Sequence, residues 1–461
     1  MTRWNKVFAL LATSCSIGLL ALSTERLTLG QEPEERPASA PAVEAIPKGV
    51  RALMQAKPSK FVYTDFVKRA LARRIVPAVA AAKGHVAAAS APQVQNAKPE
   101  DVEAAVLAFA RELSGITPPP GLDEKIRNQN RKADDLVRSS APRVGAAPKA
   151  IVNSETGETL DPKMTRFDWR DNGWIVRNSG IISQAGDQTL GGTSNCGCCW
   201  AFSTIGTFGG ANARMNLRLV AGSEQNLLDC VGPANGVAND CSGGWWAFDY
   251  LINTGVQSRG SYPYVGHQQS CQAQSNPPYR AVSWRYVLNQ DTVPMTDAQR
   301  LQIKTALINY GPIAATVYAT TTEFSGYGEG SPPISSFPSG NKVLGDDGIA
   351  RIVDHAIVIV GWDNDKKSWA IKNSWGEGWG KEGFGYVDYS SNNIGYGAAY
   401  VIPVRINGGA AVAAAPAAPS VAAPPATQMQ SITIPRVFPG APPSVGAPAP
   451  APPPPSPSTP K

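Results

Sequence analysis

Histidine is almost missing: the 461 residues hold three, His85, His267 and His355. So few imidazoles, with no second C-x-x-C to complete a tetrahedral set, make a zinc site a weak reading, and no metal or other cofactor is expected. Dense positive charge is missing too. The 42 basic and 36 acidic side chains leave a net charge of +6, without the Lys/Arg run that would neutralise a row of phosphates, so nucleic acid is not an expected partner. No N-x-Ser/Thr sequon occurs. The uncharged run Val7–Leu22 is shorter than the ~20 apolar residues a spanning helix needs. It follows Arg3 and Lys6 and ends at Ala21-Leu22-Ser23, which predicts a signal peptide over 1–23 and no stable transmembrane anchor. Export to a secreted or cell-envelope location implies an oxidising compartment, where cysteines tend to pair.

What is present is unevenly placed. Residues 24–160 combine a Pro/Ala-rich linker with helical stretches. In "PEDVEAAVLAFARELSG", Val102, Val106, Phe109 and Leu113 form one apolar stripe and Gly115 is a stop signal. A similar pattern covers 61–76 and ends at Pro77. From 161 to 406 the composition is globular, with ten of the eleven tryptophans. Its first half reads helical, with Ala201, Ile205, Phe208, Met215 and Leu219 on one face after Cys199. Its second half reads as strands: "HAIVIVGW", "SWAIKNSW" and "GFGYVDY". That division predicts an α+β fold with a cleft between the halves. Residues 407–461 are Ala/Pro-rich low complexity that cannot bury a core.

Apart from Cys15, the cysteines are Cys196, Cys198, Cys199, Cys230, Cys241 and Cys271, and three of them crowd into "SNCGCCWAFST". A redox pair of Cys196 and Cys199 would need a preceding strand, but "GDQTLGGTSN" is a polar loop. A nucleophile accounts for more. Cys199 opens a predicted helix, whose dipole favours thiolate. An amide leaving group then needs a proton donor, for which His355 is suited, and Asn373 in "IKNSWGEGWG" can orient the ring without removing its charge.

The blocks "CGCCWAFS", "SEQNLLDC", "CSGGWWAFDYL", "SYPY", "DHAIVIVGW" and "KNSWGEGWGKEGFGYV" follow the order and spacing of papain-like cysteine peptidases, which the chain resembles over about 165–404. The resemblance implies a helical domain packed on an antiparallel β-barrel-like domain, with the active site in the cleft. It implies Cys199 as nucleophile, His355 as general acid/base, Asn373 as the group orienting it, and Trp375 as the indole over that pair. It also pairs Cys196 with Cys241 and Cys230 with Cys271, leaving Cys198 a passive neighbour where the family usually has serine.

The oxyanion-hole glutamine should stand six residues before the nucleophile, where this chain has Thr193. Gln184 is the candidate if "DQTLGGTSN" is largely an insertion, with Gln188 as the alternative. Gly243 and Gly244 are expected to let a substrate backbone pair as a strand, with Trp245, Trp246, Thr316, Val353 and Ala399 around the substrate pockets. The expected function is an exported cysteine endopeptidase acting on proteins or peptides, as a monomer, with 24–160 including an inhibitory pro-region. The competing expectation is a catalytically weak or inactive homologue that binds peptides or partners.

Overall fold

A computed structural model describes residues 69, 99–139, 157–171, 181–234, 236–344, 348 and 350–405. The chain divides after Ile406 into two units, and the second, Asn407–Lys461, lies outside the described residues. So do the signal-peptide stretch and, except for Arg69, the helix expected at 61–76. No described helix is long and apolar enough to cross a membrane.

Two helices precede the globular part. Helix α1 (Pro99–Leu113) buries its predicted stripe, Val102, Val106, Phe109 and Leu113, in one cluster with Phe324, Trp375 and Trp379. Its chain then leaves helical geometry at Ser114 and Gly115. Helix α2 (Leu122–Ser139) is far more polar, and buries Leu122, Ile126, Asn130 and Ala133.

The remaining elements follow in chain order. They are β1 (Arg166–Asp168), α3 (Cys199–Asn216), α4 (Glu224–Cys230), α5 (Phe248–Asn253), β2 (Ala281–Tyr286), α6 (Asp297–Tyr310), β3 (Ile313–Val317), α7 (Thr322–Ser325), β4 (Val343–Leu344), β5 (Ala350–Arg351), β6 (His355–Asp363), β7 (Ser368–Lys372), β8 (Phe384–Asp388) and β9 (Tyr396–Pro403). Helices dominate the first half and strands the second, as the composition predicts. The main sheet is antiparallel in the order β2-β9-β3-β6-β7-β8, with β1 added to β6. Its β2 and β8 ends do not pair with each other among the described strands.

Strand β6 is buried along all nine residues, as a continuous β-branched run in a central strand should be. Helix α3 lies against β6 and β9 and is buried around most of its circumference, which explains why it is apolar beyond a single stripe. The helical side is cross-linked by Cys196–Cys241 and Cys230–Cys271. Cys198 and Cys199 are free and buried.

Candidate active site

Cys199 is the first residue of α3, so its sulfur sits at the positive end of an 18-residue helix. Across the cleft, His355 opens β6 opposite Val317 of β3, and the next residue, Ala356, donates its N–H to Cys199 Sγ at 3.4 Å. His355 Nε2 lies 2.8 Å from Asn373 Oδ1. That oxygen also accepts the Ser374 N–H at 2.8 Å, which fixes the amide orientation. An oxygen facing the ring requires the proton on Nε2, leaving Nδ1 as the basic nitrogen of the neutral imidazole. Nδ1 is buried without a hydrogen-bond partner among the described residues. Trp375 stands 4.8 Å from the imidazole, ring centre to ring centre, and Phe324 closes the other side edge-on.

The two candidate glutamines are placed differently. Gln184 is exposed. Gln188 is fully buried. Its Oε1 accepts from Ser374 Oγ at 2.6 Å, its backbone N–H donates to Ser374 O at 2.9 Å, and its carbonyl accepts from Tyr264 Oη at 3.0 Å. Its Nε2 donates to Cys196 O at 3.0 Å and to Leu113 O at 2.9 Å. Gln188, unlike Gln184, is thus enclosed between Ser374 and Cys196, just ahead of a turning loop. Leu190, Gly191 and Gly192 all take positive φ there, a turn that the glycine pair permits. The Asp187 carboxylate gathers the loop by accepting from Thr189 N and Gly191 N, at 2.9 and 3.0 Å, and it pairs with Arg69 at 2.8 Å.

The cleft is filled by the protein's own chain. Between α1 and α2, Gly244 N donates to Gly115 O at 2.7 Å and Thr117 N donates to Gly244 O at 3.0 Å, a parallel bridge centred on Ile116. Ile116 N also donates to Asp354 O at 2.9 Å. The Gly115 backbone N–H also faces the Cys199 thiol and favours its ionised form. A Cβ on Gly115 would stand 1.7 Å from Gly197 O, so only glycine fits. Gly243 is similarly confined, since a Cβ there would meet Thr117 Oγ1 at 2.9 Å.

The expected pocket residues divide into two groups. Trp245, Trp246, Val353 and Ala399 share a buried cluster with Ile116 and Cys199. The two indoles are core behind the glycine backbone, with Trp245 Nε1 donating to Tyr286 Oη at 2.8 Å and Trp246 Nε1 to Gly397 O at 2.9 Å. Thr316 is buried, and its hydroxyl donates to Tyr396 O at 2.8 Å.

Enclosure sets the protonation of the pair. Burial pushes the Cys199 thiol up to about 12, against the opposing pull of the Ala356 and Gly115 N–H groups. Burial also lowers His355 to about 4, with the Asn373 hydrogen bond acting the other way. At neutral pH the occluded pair is thus thiol and neutral imidazole. Asp354 was not singled out by sequence. Its buried carboxylate accepts from Ala319 N at 2.6 Å and Thr320 N at 3.2 Å, and burial raises its pKa to about 6. Tyr264 was missed as well, although the "SYPY" block containing it was in view.

Residues 164–404 match the model of the papain family cysteine protease. The chain is 33% identical to zingipain-2 of Zingiber officinale over 223 residues, 47% of this chain and 84% of that protein. It is 33% identical to cathepsin K of Mus musculus over 235 residues, 49% of this chain and 60% of that one. It is also 30% identical to digestive cysteine proteinase 2 of Homarus americanus over 264 residues, 56% of this chain and 69% of that protein. The matched stretch is more than half of the chain and contains Cys199, His355 and Asn373; the chain belongs to the papain family of cysteine proteases.

Proposed function

We propose that this thiol protease is an exported endopeptidase made in a closed form, in which the segment through the cleft blocks Cys199 until the chain is cut beyond α2. The observation that carries this reading is the pose of Gly115. The group it turns to the sulfur is its N–H, while its carbonyl oxygen is taken by Gly244 N at 2.7 Å. The Gln188 amide, which would receive the oxygen of a reacting carbonyl, is meanwhile occupied by Leu113 O. The segment holds the site without being a substrate.

Once the cleft is open, Cys199 gives its proton to His355 Nδ1 and its sulfur attacks the substrate carbonyl. Gln188 Nε2 and the Cys199 N–H take the developing oxyanion. His355 returns the proton to the leaving amine, giving an acyl-enzyme. Water, deprotonated by the same nitrogen, then releases the acid and restores the thiol. Asn373 keeps Nδ1 directed at the chemistry throughout.

Alkylation of Cys199 by iodoacetamide, measured against pH and located by peptide mapping, tests the reading. The thiol of the uncut chain is raised to about 12, so the thiolate appears only as pH climbs toward that value, and the rate should rise through the alkaline range. After proteolysis in the segment 140–156 and removal of the released piece, water returns to the site and the cysteine should react near neutral pH. Identical profiles before and after cutting would overturn the closed form.

A further inference from the structure

We propose that the outer edge of β2, with the aromatic face of Trp245, Trp284 and Tyr286, is a docking surface for this chain's own α2, and that this contact sets how tightly the cleft is closed. The proposal rests on the reading of residues 114–117 as a cleft cover.

Strand β2 ends the sheet, so among the described strands one side of its backbone has no neighbour. Its odd-numbered residues turn toward β9, as the Val287 N–H to Ala398 O bond continues to do beyond the strand. The groups facing outward are Trp284 O, Tyr286 N and Leu288 O. An open row of this kind is a template for another chain. Side chains of α2 fill it. Gln129 Nε2 donates to Trp284 O at 2.8 Å. Asn130 Oδ1 accepts the Tyr286 N–H at 3.0 Å, and its Nδ2 donates to Leu288 O at 3.1 Å and to Asn289 Oδ1 at 2.9 Å. One amide acts as a strand neighbour in both directions.

Asn130 is only 3% exposed, and an asparagine at such a depth is tolerated because each hydrogen bond has a partner there. Around it, Leu122 and Ile126 join the buried cluster of Trp245, Trp284 and Tyr286. Asp134 pairs with Arg285, and Asp123 Oδ1 accepts the Asp291 N–H at 2.9 Å.

The connection makes the helix matter to the cleft. Thr117 and Leu122 are joined by Pro118-Pro119-Pro120-Gly121. Proline segments are stiff spacers of about 3.1 Å per residue. A short stiff spacer keeps the cleft strand beside its site whenever α2 is docked, so rebinding is intramolecular and fast. With α1 fixed on the opposite side, the strand is held at both ends.

The test measures the rate of Cys199 alkylation by iodoacetamide in the uncut full chain at one pH, for wild type, Asn130→Ala and Gly115→Ala. Gly115→Ala drives a methyl into the Gly197 backbone and opens the cleft directly. Asn130→Ala leaves the cleft strand unaltered and removes the edge contact, so alkylation should quicken by about tenfold or more. The cut enzymes of wild type and Asn130→Ala should then be equal in kcat/KM, because the substitution leaves with the released piece. Acceleration by Gly115→Ala without acceleration by Asn130→Ala would overturn the docking role and leave the cleft cover standing. Acceleration by neither would remove the cleft cover, and the docking role with it. If Asn130→Ala does not fold, the pair Gln129→Ala and Asp134→Ala, which touch only the same edge, gives the same readout.

Discussion

The two walls of the cleft are held by different means. On the helical wall, Cys199 follows an irregular loop, and two disulfides close the surrounding chain over sequence separations of 45 and 41 residues. On the sheet wall there is no cysteine. His355 is placed by its pairing with Val317, and Asn373 follows directly on Lys372, which pairs with Val358. Trp362, Trp369, Trp375 and Trp379 are buried behind that wall. Register in a buried ladder is fixed because a one-residue slip would turn every side chain to the wrong face. A loop has no such constraint and needs covalent closure, a gathering carboxylate or a helix terminus to define it.

The sharpest way to break this contrast is at the residue that joins the walls. Gln188 is bound through Ser374 to the sheet wall and through Cys196 O to the helical wall. Loss of one oxyanion donor typically costs about 100- to 1000-fold in rate. Gln188→Ala should therefore lower kcat of the cut enzyme by that order, whereas Gln184→Ala, at an exposed position, should leave it unchanged. Steady-state kinetics on a peptide substrate reads both. The reverse pattern would return the oxyanion role to Gln184.

The same contrast explains what could be read from sequence. The sheet wall was legible: "HAIVIVGW", "SWAIKNSW" and "GFGYVDY" became β6, β7 and β8 with His355 and Asn373 at their ends. Periodicity and composition carry that information locally. On the helical wall the thiol and the disulfide pairs followed from motif resemblance. The position of the inserted loop did not, because "DQTLGGTSN" has no period and either glutamine could precede it. Its path is set by Asp187 and by backbone at positive φ, which are contacts rather than patterns. The seat of helix α2 was hidden for a related reason, although the stretch 60–138 reads as helical. "LDEKIRNQNRKADDLVRS" carries few apolar residues, and the side chains that dock it, Gln129 and Asn130, read as surface.

A second prediction tests whether the helical wall depends on covalent closure. Replacing both Cys230 and Cys271 by alanine frees a loop of 41 residues, for which the chain-entropy estimate is ~4 kcal/mol of stability. Urea unfolding of the cut enzyme gives the total. Native-state amide exchange shows where it falls: residues 224–271 should lose protection while β6 and β7 keep theirs, short of global unfolding. Equal loss on both walls would erase the distinction between them.

The smallest effect is expected at Cys198, next to the nucleophile. Its sulfur lies 3.1 Å from Tyr264 Oη. The tyrosine has one proton, and it goes to Gln188 O at 3.0 Å. The thiol must therefore be the donor to Tyr264, which agrees with burial holding it protonated above its ordinary range. A serine hydroxyl has the same single proton to give. Cys198→Ser keeps the chain from residue 198 through Tyr264 to Gln188, at a cost of under about 1 kcal/mol for an adjusted hydrogen bond. Thermal unfolding should register that small loss, with kcat unchanged. A fall in kcat comparable to that of Gln188→Ala, with stability intact, would show instead that this thiol positions the oxyanion donor through Tyr264.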